Sequence, residues 1–376
     1  MWRLVLLSVG AFVAQTSEYL PISVMPAIQD DLSISEAAVG GLVTGYAWIA
    51  ALSATPLTML TARWDRKTLF LSLLGTIAVA GSLGAVAPSY ELLAASRVLM
   101  ALAHGVFWAM LAVLAVRLAP RMPRTQVLAV VFAGISLAGV AGVPLCAFIA
   151  QTVGWRWAFA GFASMAAALS LAGLLALPGV PSRRMDEQPP IASLRDQRLR
   201  RVVAATTIVV AGHFCAYTYI VPLLEQTAGM PGRWMPALLF VFGMAGALGV
   251  LLSGWLSWPA IRLAMAATAG IAVSQACFGF AGGWMPTLGP ILALWGASSA
   301  ALVVGLQGAA IDSVPDHADM ASAFYVAAFN IGIGAGAMVG GLLTAITPFV
   351  ALLWVGAALA TLGLLILRSN RLPAGD

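Results

Sequence analysis

The 376-residue chain is 61% hydrophobic and only 9% charged, with 19 Lys and Arg against 14 Asp and Glu. Its mean hydropathy of +0.96 lies far outside the balance of a soluble globular protein, which excludes that class and indicates a polytopic membrane protein. The net charge of +5 is distributed over the ends of apolar runs, so it reads as a topology signal and an attraction to anionic lipid rather than a nucleic-acid footprint.

A spanning helix needs about 20 mainly apolar residues, and lipid offers backbone groups no partner but each other, so the long apolar runs must be helices. The alternation expected of a membrane barrel is nowhere visible. Charges, prolines and glycines punctuate the chain into twelve predicted segments, over 4–27, 36–61, 68–87, 91–118, 125–151, 156–178, 202–225, 233–256, 260–280, 285–311, 320–345 and 348–367. The first is too long for a signal peptide, contains Glu18, Pro21 and Pro26, and lacks a cleavage site, so it is expected to stay in the mature protein.

The longest polar stretch, "PGVPSRRMDEQPPIASLRDQRLRR", divides the segments six and six. The expected fold is all-α, with twelve transmembrane helices in two six-helix bundles, 1–178 and 202–376, joined by a cytoplasmic linker over 179–201. This is the layout of two-bundle transporters whose halves rock about a central site. Weak internal likeness supports a duplication: "TARWDRK" and "SWPAIR" both follow the second segment of a half. With the N-terminus cytoplasmic, the cytoplasmic side holds Arg3, Arg63, Arg66, Lys67, Arg117, Arg121, Arg124, Arg183, Arg184, Arg195, Arg198, Arg200, Arg201, Arg262, Arg368 and Arg371. Arg156 and Arg233 are left outside and Arg97 within a segment, so both termini are expected to be cytoplasmic.

A charge inside a membrane costs about 2.5 to 3.5 kcal/mol on insertion scales, so those present are candidates for function. Glu18 stands in the first segment, three residues from Gln15. Arg97, His104 and Trp108 fall at i, i+7 and i+11 on one face of the fourth segment. At 1.5 Å per residue, Arg97 and His104 are roughly 10 Å apart along the axis. His213 and Tyr217 share a face of the seventh segment and Tyr219 lies on another side, while Gln307 and Asn330 are single amides in later segments. Converging on a water-filled cavity, such groups would bind a neutral, hydroxyl-rich solute. A buried Glu facing a cavity that alternately wets and dries can gain and lose a proton, which makes Glu18 a candidate carrier with His104. The plainer alternative is that Glu18 pairs with Arg97 or a histidine to hold helices together, and Arg97 reads equally as a coupling residue or a structural counter-charge. Asp65, Arg66 and Lys67 sit at a turn between segments, as a charge latch or as topology determinants alone.

An enzyme would require a nucleophile with its base, or a ligand cluster. The three histidines are scattered, HExxH and GxSxG are absent, and the "GIGAG" string follows no strand. Cys146, Cys215 and Cys277 stand singly and read as small apolar residues. No catalytic residue, metal set or cofactor is expected, and a monomer is.

These residues resemble the major facilitator superfamily, within it the proton-driven efflux branch of drug:H+ antiporters. "WDRKTLFL" is similar to the family's loop signature of an Asp followed by basic residues, although Thr61 stands where the leading Gly is expected and the later Gly is missing. Arg97 matches the family's helix 4 arginine, associated with proton transfer. "GVAGVP" resembles the antiporter glycine-proline signature, with Val143 intervening between Gly142 and Pro144. A narrower resemblance, carried by "SEYLPISVMP", "RVLMALAHGVFWAMLAVLAVRLAP", "GHFCAYTYIVPLLEQTAG" and "AFNIGIGAGAMVGG", is to bacterial sugar efflux transporters that export arabinose and isopropyl thiogalactoside. It implies an inner-membrane exporter of sugars or sugar-like molecules driven by the proton gradient. Glu18 and His104 would be its protonation pair, with His213 and Asn330 near the substrate. Exporters of chloramphenicol-type drugs and of purine nucleosides belong to the same branch and remain alternatives.

Overall fold

The computed structural model describes residues 1–34, 36–181, 190–230, 234–281 and 285–369. Arg183, Arg184, Arg233, Arg371 and linker residues 182–189 lie outside the described residues. The long helices are α1 (Trp2–Ser23), α2 (Glu36–Leu60), α3 (Arg66–Ala85), α4 (Tyr90–Leu118), α5 (Arg124–Thr152), α6 (Trp155–Ala176), α7 (Gln197–Tyr217), α8 (Met235–Leu256), α9 (Ala260–Ala281), α10 (Met285–Ser313), α11 (Ala318–Thr344) and α12 (Val350–Arg368). Each falls on a predicted segment. Among the described residues there is no strand. Eleven of these helices are long and apolar enough to cross a membrane, and the remaining one, α2, is 25 residues long. Their outer faces are apolar too: Leu175, Phe280, Trp255 and Leu171 are 89%, 83%, 79% and 66% exposed. Such surfaces are tolerated where the surrounding solvent is lipid.

The chain forms two compact units. The first comprises Met1–Pro123, Val130–Pro190 and Ser322–Ala327, the second Arg124–Ala129, Ile191–Ala321 and Ala328–Asp376. Within the first, α3 packs along α6 and α4, and α2 along α4; α1 lies on α6 and on the later part of α5. Within the second, α10 packs along α8 and α9, and α12 along α7 and α9. In that unit Arg124 forms an ion pair with Asp312 at the end of α10. Small residues set the close approaches, since lipid tails are as apolar as Leu and helices gain by backbone proximity. Gly105 of α4 lies on the backbone of Ala50 and Ala54 in α2, and Gly134 of α5 on that of Ser8 and Phe12 in α1.

Two irregularities shape the helices near the site. α1 carries Pro21 and stops at Ser23, the chain restarting as a short helix over Met25–Leu32. α5 passes through a π turn at Ala138–Gly142 before continuing from Val143 to Thr152. A π turn accommodates one extra residue in a helix, so the Val143 that separates glycine from proline in the sequence is absorbed without ending α5.

Candidate functional site

The site in the first unit is built around the break in α1. Pro21 has no N–H, so the carbonyl of Ser17 lacks its donor four residues on. Arg97 of α4 supplies one: Nη1 donates to the Ser17 carbonyl at 2.8 Å and Nη2 to the Glu18 carbonyl at 3.0 Å. The guanidinium is 2% exposed and stands 4.3 Å from the ring centroid of Tyr46 in α2, an arrangement that stabilises a desolvated cation. Nη1 also donates to Met100 Sδ at 3.2 Å, and with its other bonds going to backbone oxygens the Glu18 carboxyl is left to other partners.

That carboxyl accepts from Gln15 Nε2, one turn earlier in α1. It also lies 3.3 Å from His104 Nε2, the two side chains being 20% and 5% exposed. The indole N–H of Trp108, one turn further along α4, donates to the same His104 nitrogen. Tyr46 meets the His104 ring edge-on, centroids 5.1 Å apart, and Phe132 of α5 packs against Trp108 at 6.1 Å. Three buried polar atoms here, Tyr46 Oη, Arg97 Nε and His104 Nδ1, have no hydrogen-bond partner among the described residues. Each such group costs about 1–3 kcal/mol, and their collection in one place marks a site where polarity is kept against stability. Chemically, a carboxyl and an imidazole nitrogen at this separation are placed to share one proton.

In the second unit His213 is buried and its Nδ1 accepts from Trp295 Nε1 of α10 at 2.9 Å. Its ring stacks on Tyr217 at 5.1 Å and 15°, and Tyr217 stacks in turn on Phe242 of α8 at 4.9 Å and 25°. The result is a column of flat rings with a hydroxyl at its middle. Tyr219 leaves this group: its hydroxyl donates to the Ala337 carbonyl of α11 at 3.0 Å, and its ring lies against Gly340 and Gly341. Gln307 is buried within α10 and Asn330 half-buried within α11.

Residues 7–326 match the Major Facilitator Superfamily. The chain belongs to that superfamily. It is 31% identical to a probable sugar efflux transporter of Mannheimia succiniciproducens, over 99% of this chain and 96% of that protein. It is 37% identical to a chloramphenicol efflux pump of Mycobacterium tuberculosis, over 91% of this chain and 85% of the pump. The solved structure of the Escherichia coli fucose:proton symporter has the same fold, with a TM-score of 0.79 over 99% of both chains at 16% identity.

In this superfamily member the residues singled out from sequence separate into groups. Gln15, Glu18, Arg97, His104 and Trp108 meet in the first unit, and His213 and Tyr217 meet in the second. Asp65, Arg66 and Lys67 form the joint between α2 and α3. Asp65 caps α3, accepting from the Thr68 N–H at 3.1 Å. The buried Arg66 guanidinium donates to the Ala62 carbonyl at 3.1 Å, past the end of α2, while its backbone N–H donates to Val180 at 2.9 Å. Lys67 is half-buried in the first turn of α3. Tyr46, Phe242 and Trp295 were not anticipated, because an aromatic ring in an apolar run carries no sequence signal that separates core from site. A charged cluster was also missed: Asp31 accepts from Arg156 at 2.6 Å and from Trp155 Nε1 at 3.3 Å, and Arg156 donates to Ala87 at 2.8 Å. The adjacent acids Asp30 and Asp31 before a predicted segment and the basic residue in "GWRWAF" were its available signals.

Proposed function

We propose that this transporter is a proton-coupled antiporter that exports sugars or sugar-like small molecules, of the arabinose and isopropyl thiogalactoside type, from a bacterial cytoplasm by alternating access. The observation that carries the reading is the Glu18–His104 contact at 3.3 Å, with Arg97 holding the backbone of the same α1 turn. A proton arriving from outside occupies this pair and favours solute release; its loss to the cytoplasm restores the charge and permits rebinding. In the second unit the ring column of His213, Tyr217 and Phe242 supplies flat apolar faces for a pyranose, Gln307 and Asn330 supply hydrogen bonds, and Tyr219 braces α7 on α11; in the first unit Gln15 and Trp108 hold Glu18 and His104. Asp65, Arg66 and Lys67 act as a latch that stiffens the end of α2 in one conformation. The protein works as a monomer in the inner membrane with both termini cytoplasmic. It draws on the proton gradient without a bound cofactor and carries out no covalent chemistry on its substrate.

Export of a chloramphenicol-type drug by the same cycle is the second reading, favoured by the higher identity to the mycobacterial pump, 37% against 31%. The experiment is efflux of labelled arabinose and, separately, of labelled chloramphenicol from proteoliposomes under an imposed pH gradient. Gradient-driven arabinose movement that disappears in Glu18→Gln supports the first reading. Movement of chloramphenicol alone replaces it with the second, and absence of any gradient dependence removes proton coupling.

A further inference from the structure

His104 Nε2 faces two groups at once, the Trp108 indole N–H and the Glu18 carboxyl. An imidazole nitrogen that accepts a hydrogen bond carries no proton of its own, so in the neutral ring the proton sits on the other nitrogen. Here that nitrogen, Nδ1, is buried and has no partner among the described residues, so nothing there selects this tautomer. The selection is made at Nε2. Among the described residues, the polar groups around this pair include Tyr46 of α2, edge-on to the ring, Gln15, which bonds the Glu18 carboxyl from α1, and Arg97 on α4, which bonds the backbone of α1. Phe132 of α5 backs the indole and is apolar.

We propose that Trp108 is a positioning residue for proton transfer, its indole N–H sharing the single Nε2 lone pair of His104 with the Glu18 carboxyl and so keeping the neutral ring in the Nδ1–H form, able to take a proton at Nε2. The inference rests on the proton-coupled reading above. In the transfer the Glu18 O–H bond breaks and leaves its electron pair on the carboxylate, while the Nε2 lone pair forms a new N–H bond, giving carboxylate and imidazolium. Nε2–H then points at Glu18 and can no longer accept from Trp108. The indole loses its acceptor and turns away, so the arrival of the proton is transmitted to a large ring four residues along α4. Sharing of Nε2 between the indole and the carboxyl distinguishes His104 from His213. There the indole of Trp295 holds the opposite nitrogen, Nδ1, and among the described residues no carboxylate bonds the ring.

The test is nitrogen NMR of the full-length protein in lipid nanodiscs with labelled histidine, the His104 signals being assigned with His104→Gln. Neutral His104 is expected as the Nδ1–H tautomer with a hydrogen-bonded, unprotonated Nε2. In Trp108→Phe that population is expected to be lost in favour of Nε2–H, whereas Trp295→Phe leaves His104 unchanged. Site-specific replacement of Trp108 by benzothienylalanine, which keeps the ring and lacks the N–H, gives the same loss without a packing defect. A protonated Nε2 in the unaltered neutral ring, or an unchanged tautomer in both replacements, overturns the inference. The readout does not depend on transport. Efflux without gradient dependence, together with a Trp108-dependent tautomer, removes the transport role and leaves the tautomer assignment. Gradient-driven efflux with an indifferent tautomer removes this inference alone.

Discussion

Arg97 and Ser17 are joined through a backbone vacancy: the Nη1 of one donates at 2.8 Å to the carbonyl of the other, which Pro21 deprives of its helical donor. The arginine is therefore a structural element of the α1 break and at the same time fixes the turn that carries Glu18. Arg97→Gln is expected to lower stability by about 1–3 kcal/mol, since it leaves buried carbonyls unpaired. In a Pro21→Ala background the restored backbone N–H satisfies Ser17, and the cost of Arg97→Gln should shrink by roughly 1 kcal/mol. Denaturant unfolding of the four proteins in detergent measures the coupling, and strict additivity would sink this account of Arg97.

Glu18→Gln keeps a hydrogen-bonding side chain beside His104 but fixes it neutral. A gradient of about one pH unit contributes ~1.4 kcal/mol per proton, or tenfold in accumulation. With the carboxyl present, an exterior more acidic than the interior increases export by up to that factor per coupled proton. With the amide, the increase is expected to vanish while exchange of labelled for unlabelled solute, which needs no net proton movement, continues. Counterflow measured beside gradient-driven efflux separates the two, and loss of both would place Glu18 in folding or solute binding instead.

Glycines along α5 are expected to differ sharply. A Cβ on Gly134 would run into the backbone of Ser8 and Phe12, whereas one on Gly139 meets nothing within 4 Å. Gly134→Val should abolish recovery of folded protein, because backbone cannot yield as a flexible side chain can, and overpacking by extra methylenes already costs about 1–3 kcal/mol. Gly139→Ala should be recovered at normal yield. Monodispersity of the detergent-solubilised variants reports both, and equal behaviour would contradict the α1–α5 approach.

The helices were legible because lipid forces a long apolar run into one conformation, and their ends follow charges such as Arg66, Arg124 and Arg368 to within a few residues. The grouping of Glu18 with His104 was legible as an expense, two titratable groups in apolar surroundings, although which partner each would take was not. For Arg97 the sequence left open a coupling residue or a structural counter-charge, and the carbonyl of Ser17, which Pro21 leaves without its helical donor, is what draws the guanidinium to the backbone. Tyr46 and Trp295 were invisible for a different reason: their side chains satisfy the apolar pattern, and their polar contacts come from helices distant in the chain. The π turn in α5 showed itself only as Val143, an extra residue whose structural consequence depends on whether a helix ends or bulges.

Tyr217 separates the two candidate substrates. Its ring lies between His213 and Phe242 at 5.1 and 4.9 Å, so Tyr217→Ala breaks the column whose rings either a sugar or an aromatic drug would pack against, and export of both should fall. Tyr217→Phe keeps the column and deletes the hydroxyl. For a sugar the lost hydrogen bond, about 1 kcal/mol, predicts a roughly fivefold rise in the concentration needed for half-maximal export. For a chloramphenicol-type substrate held through its ring the same change should be nearly neutral. Initial efflux rates for arabinose and chloramphenicol across the two variants decide the matter: a Tyr217→Phe defect confined to arabinose supports the sugar reading, and equal defects in both substrates would take Tyr217 out of substrate selection.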